Sequence, residues 1–127
     1  MSEELTGKTV LLVDDDRDIL AAMTMALEPL GVALQTAQDG NTAVELAESG
    51  EPDLVVLDMM LPKRSGFLVM ERLKRGKKPE DPPQVIMITG NLGTRHKLYA
   101  QTLGVAAYLH KPFRMDKLVE TVKDVLS

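Results

Sequence analysis

Three stretches of the chain are apolar at every position: Val10 to Val13, Leu54 to Leu57 and Val85 to Ile88. Strict alternation would mark a strand with one wet face, whereas a short unbroken run rich in Val and Ile marks one buried on both faces. The spacing predicts strands over Lys8–Val13, Asp53–Asp58 and Gln84–Thr89, with shorter ones over Val32–Ala37 and Ala106–His110. Between them the period lengthens to that of a helix. Ile19, Ala22, Met23, Ala26, Leu27 and Leu30 share one face of a helix over Asp16–Leu30, with Asp16 as N-cap and Pro29 and Gly31 closing it. A short helix over Thr42–Ser49 turns Ala43, Leu46 and Ala47 inward. A third, Ser65–Arg75, carries Phe67, Met70 and Leu73 on its apolar face and Glu71, Arg72 and Lys74 on its polar one. Two more are predicted over Thr94–Leu103 and Arg114–Leu126, the last with Met115, Leu118, Val122 and Val125 inward.

Strands that alternate with helices run parallel, and right-handed crossovers place helices on both faces of the sheet. The pattern is that of an α/β fold, a (βα)5 doubly wound five-stranded parallel sheet. The proline-rich segment from Gly76 to Pro83 reads as a surface loop, because too little chain lies on either side for two domains. At 127 residues a single domain over 1–127 is expected, with about 7–127 as its folded core.

Composition narrows the function classes. The absence of cysteine excludes disulfides, thiolate chemistry and any Cys-based zinc site. A net charge of −4 argues against direct nucleic-acid binding. No apolar run approaches the ~20 residues of a membrane span. The Met-Ser-Glu-Glu start is acidic where a signal peptide would be basic, so a cytoplasmic protein is expected.

The chemistry sits at the strand ends. Parallel strands all finish on one edge, where open α/β sheets bind their ligands. That edge collects Asp14 and Asp15, Asp58, Thr89 and Lys111. Two carboxylates ~4 Å apart repel by about 4 kcal/mol at an effective dielectric near 20, so three of them call for a cation. An all-oxygen donor set without Cys or His favours Mg²⁺. A carboxylate beside Mg²⁺ can attack phosphorus, with a lysine and a hydroxyl to receive the phosphoryl oxygens. Three other readings of these acids differ in weight. A calcium loop opening at Asp14-Asp15-Asp16 fails, with Ile19 where glycine is needed and Met25 where glutamate is needed. A Mg²⁺-dependent phosphatase would use Asp14 as nucleophile and leave Asp58 a bystander. A binding module of the same fold would leave the pocket unused.

Leu11-Leu12-Val13-Asp14-Asp15, Asp58 followed by Pro62 and Gly66, Thr89-Gly90, and Ala107-Tyr108-Leu109-His110-Lys111-Pro112-Phe113 occur in this order and spacing. Over essentially its whole length the chain resembles the receiver domain of two-component response regulators. The resemblance implies the flavodoxin-like strand order 2-1-3-4-5. It implies Asp58 as phosphoacceptor, taking its phosphoryl group from a phosphohistidine on a sensor histidine kinase or phosphotransfer protein. Asp15, Asp58 and the backbone carbonyl of Met60 would bind Mg²⁺, with Asp14 acting largely through water. Lys111 would hold the phosphoryl group, and a cis Lys111–Pro112 bond would aim it. Thr89 and Tyr108 would act as switch residues that change the face of the fourth helix, fifth strand and fifth helix, toward an output domain or partner. The resemblance implies a signalling domain and not a turnover enzyme. Met60, Gly90 and the Lys63-Arg64-Ser65 stretch before Gly66 occupy positions that vary in the family and bear on phosphoryl lifetime.

Overall fold

Burial follows the two-faced reading of the strands residue by residue. In the computed structural model, which describes residues 5–78, 80–90, 101–102 and 104–127, the strands are β1 (Thr9–Val13), β2 (Ala33–Ala37), β3 (Leu54–Asp58), β4 (Gln84–Thr89) and β5 (Ala107–His110). They form one parallel sheet in the order β2-β1-β3-β4-β5. Even-numbered side chains of the central strands, Val10, Leu12, Leu54, Val56, Ile86 and Ile88, pack in one core with α1 (Arg17–Leu27) and the C-terminal helix (Met115–Leu126). The odd-numbered set, Leu11, Val13, Val55, Leu57, Val85 and Met87, packs in a second core with α2 (Gly40–Gly50) and α3 (Gly66–Lys74). A strand with side chains in two cores must be apolar throughout, which is why alternation is missing. Edge strand β2 lacks such a run and leaves Gln35 and Thr36 exposed.

Helix limits differ from the periodic expectation where caps or tertiary contacts intervene. Asp16 caps α1 as expected, its carboxylate accepting from the N–H groups of Asp18 at 2.9 Å and Ile19 at 3.3 Å. The buried stripe of α1 is Leu20, Met23 and Leu27, shifted toward Leu20 so that Ile19 is only partly covered. The helix ends at Leu27 and tightens to a 3₁₀ turn over Glu28–Leu30, before Gly31 at φ +83°. Asp39 starts α2 two residues early by accepting from the Thr42 N–H at 2.8 Å. Ser65 caps α3, its hydroxyl accepting from the Leu68 N–H at 3.3 Å.

Lys74 is a correction. The helical period puts it on the polar face of α3, yet it is buried. The chain after α3 turns back over it, and its ammonium donates to the carbonyls of Asp81 and Pro83. The described residues 80–83 thus belong to a loop folded on this amine. The helix expected over Thr94–Leu103, with Asn91, Leu92, Gly93 and His96, lies outside the described residues except for Gln101 and Thr102, which are helical.

Candidate functional site

The carboxyl edge of the sheet gathers the acids from two adjacent strands. Val13 ends β1, and the next residue keeps to the sheet because the Asp14 N–H donates to the Ala37 carbonyl at 3.1 Å. Asp14 is therefore fully buried, whereas Asp15 turns outward and is exposed. Asp58, the last residue of β3, is buried as well. Carboxylate oxygens of Asp14, Asp15 and Asp58 lie within 4.8 Å of one another.

Lys111 answers the two buried acids. Its Nζ lies 3.1 Å from Asp14 Oδ2 and 3.3 Å from Asp58 Oδ2. It arrives from the end of β5, with its N–H bound to the Thr89 carbonyl at 2.7 Å and a cis bond to Pro112 after it. The other oxygens of the acids are turned to the backbone: Asp14 Oδ1 accepts from the Asp16 N–H at 2.9 Å and Asp58 Oδ1 from the Met60 N–H at 3.0 Å. Burial pushes the Asp58 carboxyl above its ordinary value; the Met60 N–H pulls it down, Asp14 pushes it up and Lys111 pulls it down. Burial also works against the Lys111 ammonium, but its two acid partners outweigh that and hold the amine above its ordinary value.

Two atoms in this cluster lack a hydrogen bond among the described residues: Asp14 Oδ2, which has an ion pair but no hydrogen-bond geometry, and Thr89 Oγ1. Thr89 is fully buried at the end of β4. A desolvated hydroxyl without a partner is uncommon in a native fold and costs about 1–3 kcal/mol. Three convergent carboxylates, an all-oxygen donor set and the orphaned Thr89 hydroxyl suit a hard divalent cation and an oxyanion beside it. Met60 has its side chain 69% exposed, so that residue is held by its backbone. Tyr108 is half-buried, its hydroxyl 4.0 Å from Met59 Sδ and its ring edge-on to His110 at 5.3 Å.

A family model, the response regulator receiver domain, matches residues 10–123. The chain belongs to the response regulator receiver family. It is 37% identical over 117 residues to the DNA-binding dual master transcriptional regulator RpaA of Synechocystis, covering 92% of this chain and 48% of that protein. It is 36% identical over 122 residues to the phosphate regulon transcriptional regulatory protein PhoB of Pseudomonas aeruginosa, covering 96% of this chain and 53% of the relative. The chain thus spans about half the length of these curated relatives. A CheY-like receiver domain from Methanospirillum hungatei superposes with a TM-score of 0.85 at 28% identity, over 94% of this chain and 93% of that one.

Every site residue picked from the receiver sequence lies at this edge or beside it: Asp14, Asp15, Asp58, Thr89 and Lys111 form the cluster, with Met60 and Tyr108 flanking it. Sequence reasoning missed the contact of Gly40 with Arg64, which joins the start of α2 to the segment between Asp58 and α3. Asp39-Gly40 reads only as a turn before a helix, and nothing local says what it touches.

Proposed function

We propose that this two-component receiver accepts one phosphoryl group on Asp58 in a Mg²⁺-dependent reaction. The observation that carries the reading is the single ammonium of Lys111 held between Asp14 and Asp58, at 3.1 and 3.3 Å, with an unpartnered buried hydroxyl at the next strand end. Asp15, Asp58 and the Met60 carbonyl would hold Mg²⁺, and Asp14 would act largely through water. Bound there, the ion would neutralise charge on the phosphoryl oxygens as they approach the carboxylates.

A carboxylate oxygen of Asp58 forms the new bond to phosphorus while the P–N bond of the donor phosphohistidine breaks. The electron pair of that bond returns to the imidazole nitrogen. Lys111 leaves Asp58 for a phosphoryl oxygen, exchanging one anion for another at nearly the same place. The Thr89 hydroxyl donates to a second oxygen, and Tyr108 follows it inward. The face of β5 and the helices beside it then changes toward an output domain or partner. The donor is a sensor histidine kinase or phosphotransfer protein, and the domain works as a cytoplasmic switch and not as a turnover enzyme. Among the described residues no helix is long and apolar enough to cross a membrane.

The test is exposure to acetyl phosphate with Mg²⁺, read by intact mass. One phosphoryl group is expected, absent without Mg²⁺ and absent in Asp58→Asn. Multiple turnover on phosphate esters that survives Asp58→Asn and is lost in Asp14→Asn would instead make the protein a phosphatase.

A further inference from the structure

The segment between Asp58 and α3 carries the Met60 carbonyl; Met59 is buried in the second core and Leu61 packs partly against it, whereas Met60, Pro62 and Lys63 are exposed. Beyond those two side chains, its exposed middle is held by backbone fastenings. At its far end the Gly66 N–H donates to the Met59 carbonyl at 3.0 Å, and a Cβ on Gly66 would stand 2.5 Å from Met59 Cα and 2.6 Å from the Asp58 carbonyl oxygen. Midway, the Pro62 carbonyl accepts twice, from the Arg64 N–H at 2.8 Å and from the Gly40 N–H at 3.3 Å.

The first of those bonds closes a three-residue turn on Lys63, whose φ is +70°. A γ-turn with positive φ is the rarer and more strained of its two forms, and a lysine there needs outside support. The support comes from the start of α2. Gly40 lies so close that a Cβ on it would fall against the Arg64 carbonyl oxygen and 2.5 Å from Arg64 Cβ. Most of that contact is backbone, which no side-chain rotation can relieve. Asp39 adds a long-range pull, its Oδ2 3.9 Å from Lys63 Nζ while the same carboxylate caps α2.

We infer that Gly40 is a positioning residue for the acceptor loop: the first turn of α2 holds the strained Lys63 turn closed and thereby sets where the Met60 carbonyl stands. The metal half of this inference rests on the function proposed above, and the loop half does not. Gly40→Ala pushes the loop off α2. In metal-free protein the Arg64 and Gly66 amides are expected to exchange hydrogen at least tenfold faster relative to the core amides of β3. The Mg²⁺ dissociation constant is expected to rise at least tenfold, and the rate with acetyl phosphate to recover at saturating Mg²⁺. Leu27→Ala, a core deletion at the far end of α1, controls for lost stability and should move neither ratio. Asp39→Ala, which inserts nothing, should move both in the same direction by about threefold. Lys63→Gly should raise the melting temperature and keep wild-type Mg²⁺ affinity.

Wild-type relative exchange at Arg64 and Gly66 in both Gly40→Ala and Asp39→Ala would overturn the inference. So would faster loop exchange with unchanged Mg²⁺ affinity. Should wild-type protein bind no Mg²⁺, the proposed function falls, and the exchange ratios still decide whether α2 holds the loop.

Discussion

Two lysines, one half-buried and one buried, sit at opposite edges of the same sheet, and their charges are met in opposite ways. Lys111, at the carboxyl edge, faces two carboxylates, and its amine is held above its ordinary value. Lys74, at the end of α3, is ringed by the carbonyls of Asp81 and Pro83, and burial holds its amine below its ordinary value. Carbonyl dipoles satisfy the N–H donors of an ammonium but supply no countercharge, and the Asp81 and Glu80 carboxylates offset only part of the burial. The difference separates a charge kept for exchange from a charge used as a peg. Lys111 can trade Asp58 for an incoming anion, because an ion pair survives a change of partner. Lys74 is bound to carbonyls of the loop that returns over it, and moving it would take the loop along.

The comparison breaks most visibly at Lys111. Lys111→Met should slow phosphorylation by acetyl phosphate about 10²–10³-fold, the usual effect of removing one preorganised donor. Mg²⁺ affinity, followed by calorimetry, should hold or rise, because the competing cation is gone. Equal losses in both would mean that Lys111 merely shapes the site. At the other edge, Lys74→Met keeps the stem but leaves two carbonyls without their donor. Urea denaturation should show a loss of about 1–3 kcal/mol with an unchanged slope. Phosphorylation should be unaltered; a slowed reaction would mean that the two edges are coupled.

The smallest effect is in the pH dependence. With the folded-state value of Lys74 below the ordinary lysine value of 10.5, the unfolded chain binds more protons as pH climbs toward 10.5. Stability from this group therefore rises with pH in that window, and below it the burial penalty is fully present. The difference in unfolding free energy between wild type and Lys74→Met, in which other groups cancel, should widen with increasing pH just below 10.5. A flat difference would remove burial as the cause of the shift.

What was readable in the chain follows the same division. The unbroken apolar runs gave the central strands almost to the residue, because two cores demand apolar side chains on both faces of β1, β3 and β4. Strand ends then located the acids, since parallel topology sends every C-terminus to one edge. The different burial of Asp14 and Asp15 was not visible; it depends on a single ladder bond from Asp14 to Ala37. Helical periodicity puts Lys74 on the polar face because it knows nothing of the loop that returns over it. Gly40 against Arg64 was equally silent, being a contact between segments 24 positions apart. Local pattern carries what a segment needs from water, and these misses are all matters of what another segment does to it.

The idle hydroxyl of Thr89 has a thermodynamic consequence. Its dehydration has already happened in the resting fold, so an oxygen that reaches it gains a hydrogen bond without first stripping solvent from the donor. The empty-handed conformer is thereby raised in free energy relative to the occupied one, before any larger rearrangement begins. Replacing that oxygen by a methyl group, as in Thr89→Val, would remove this bias from both sides, relieving the empty conformer and taking the hydrogen bond from the occupied one.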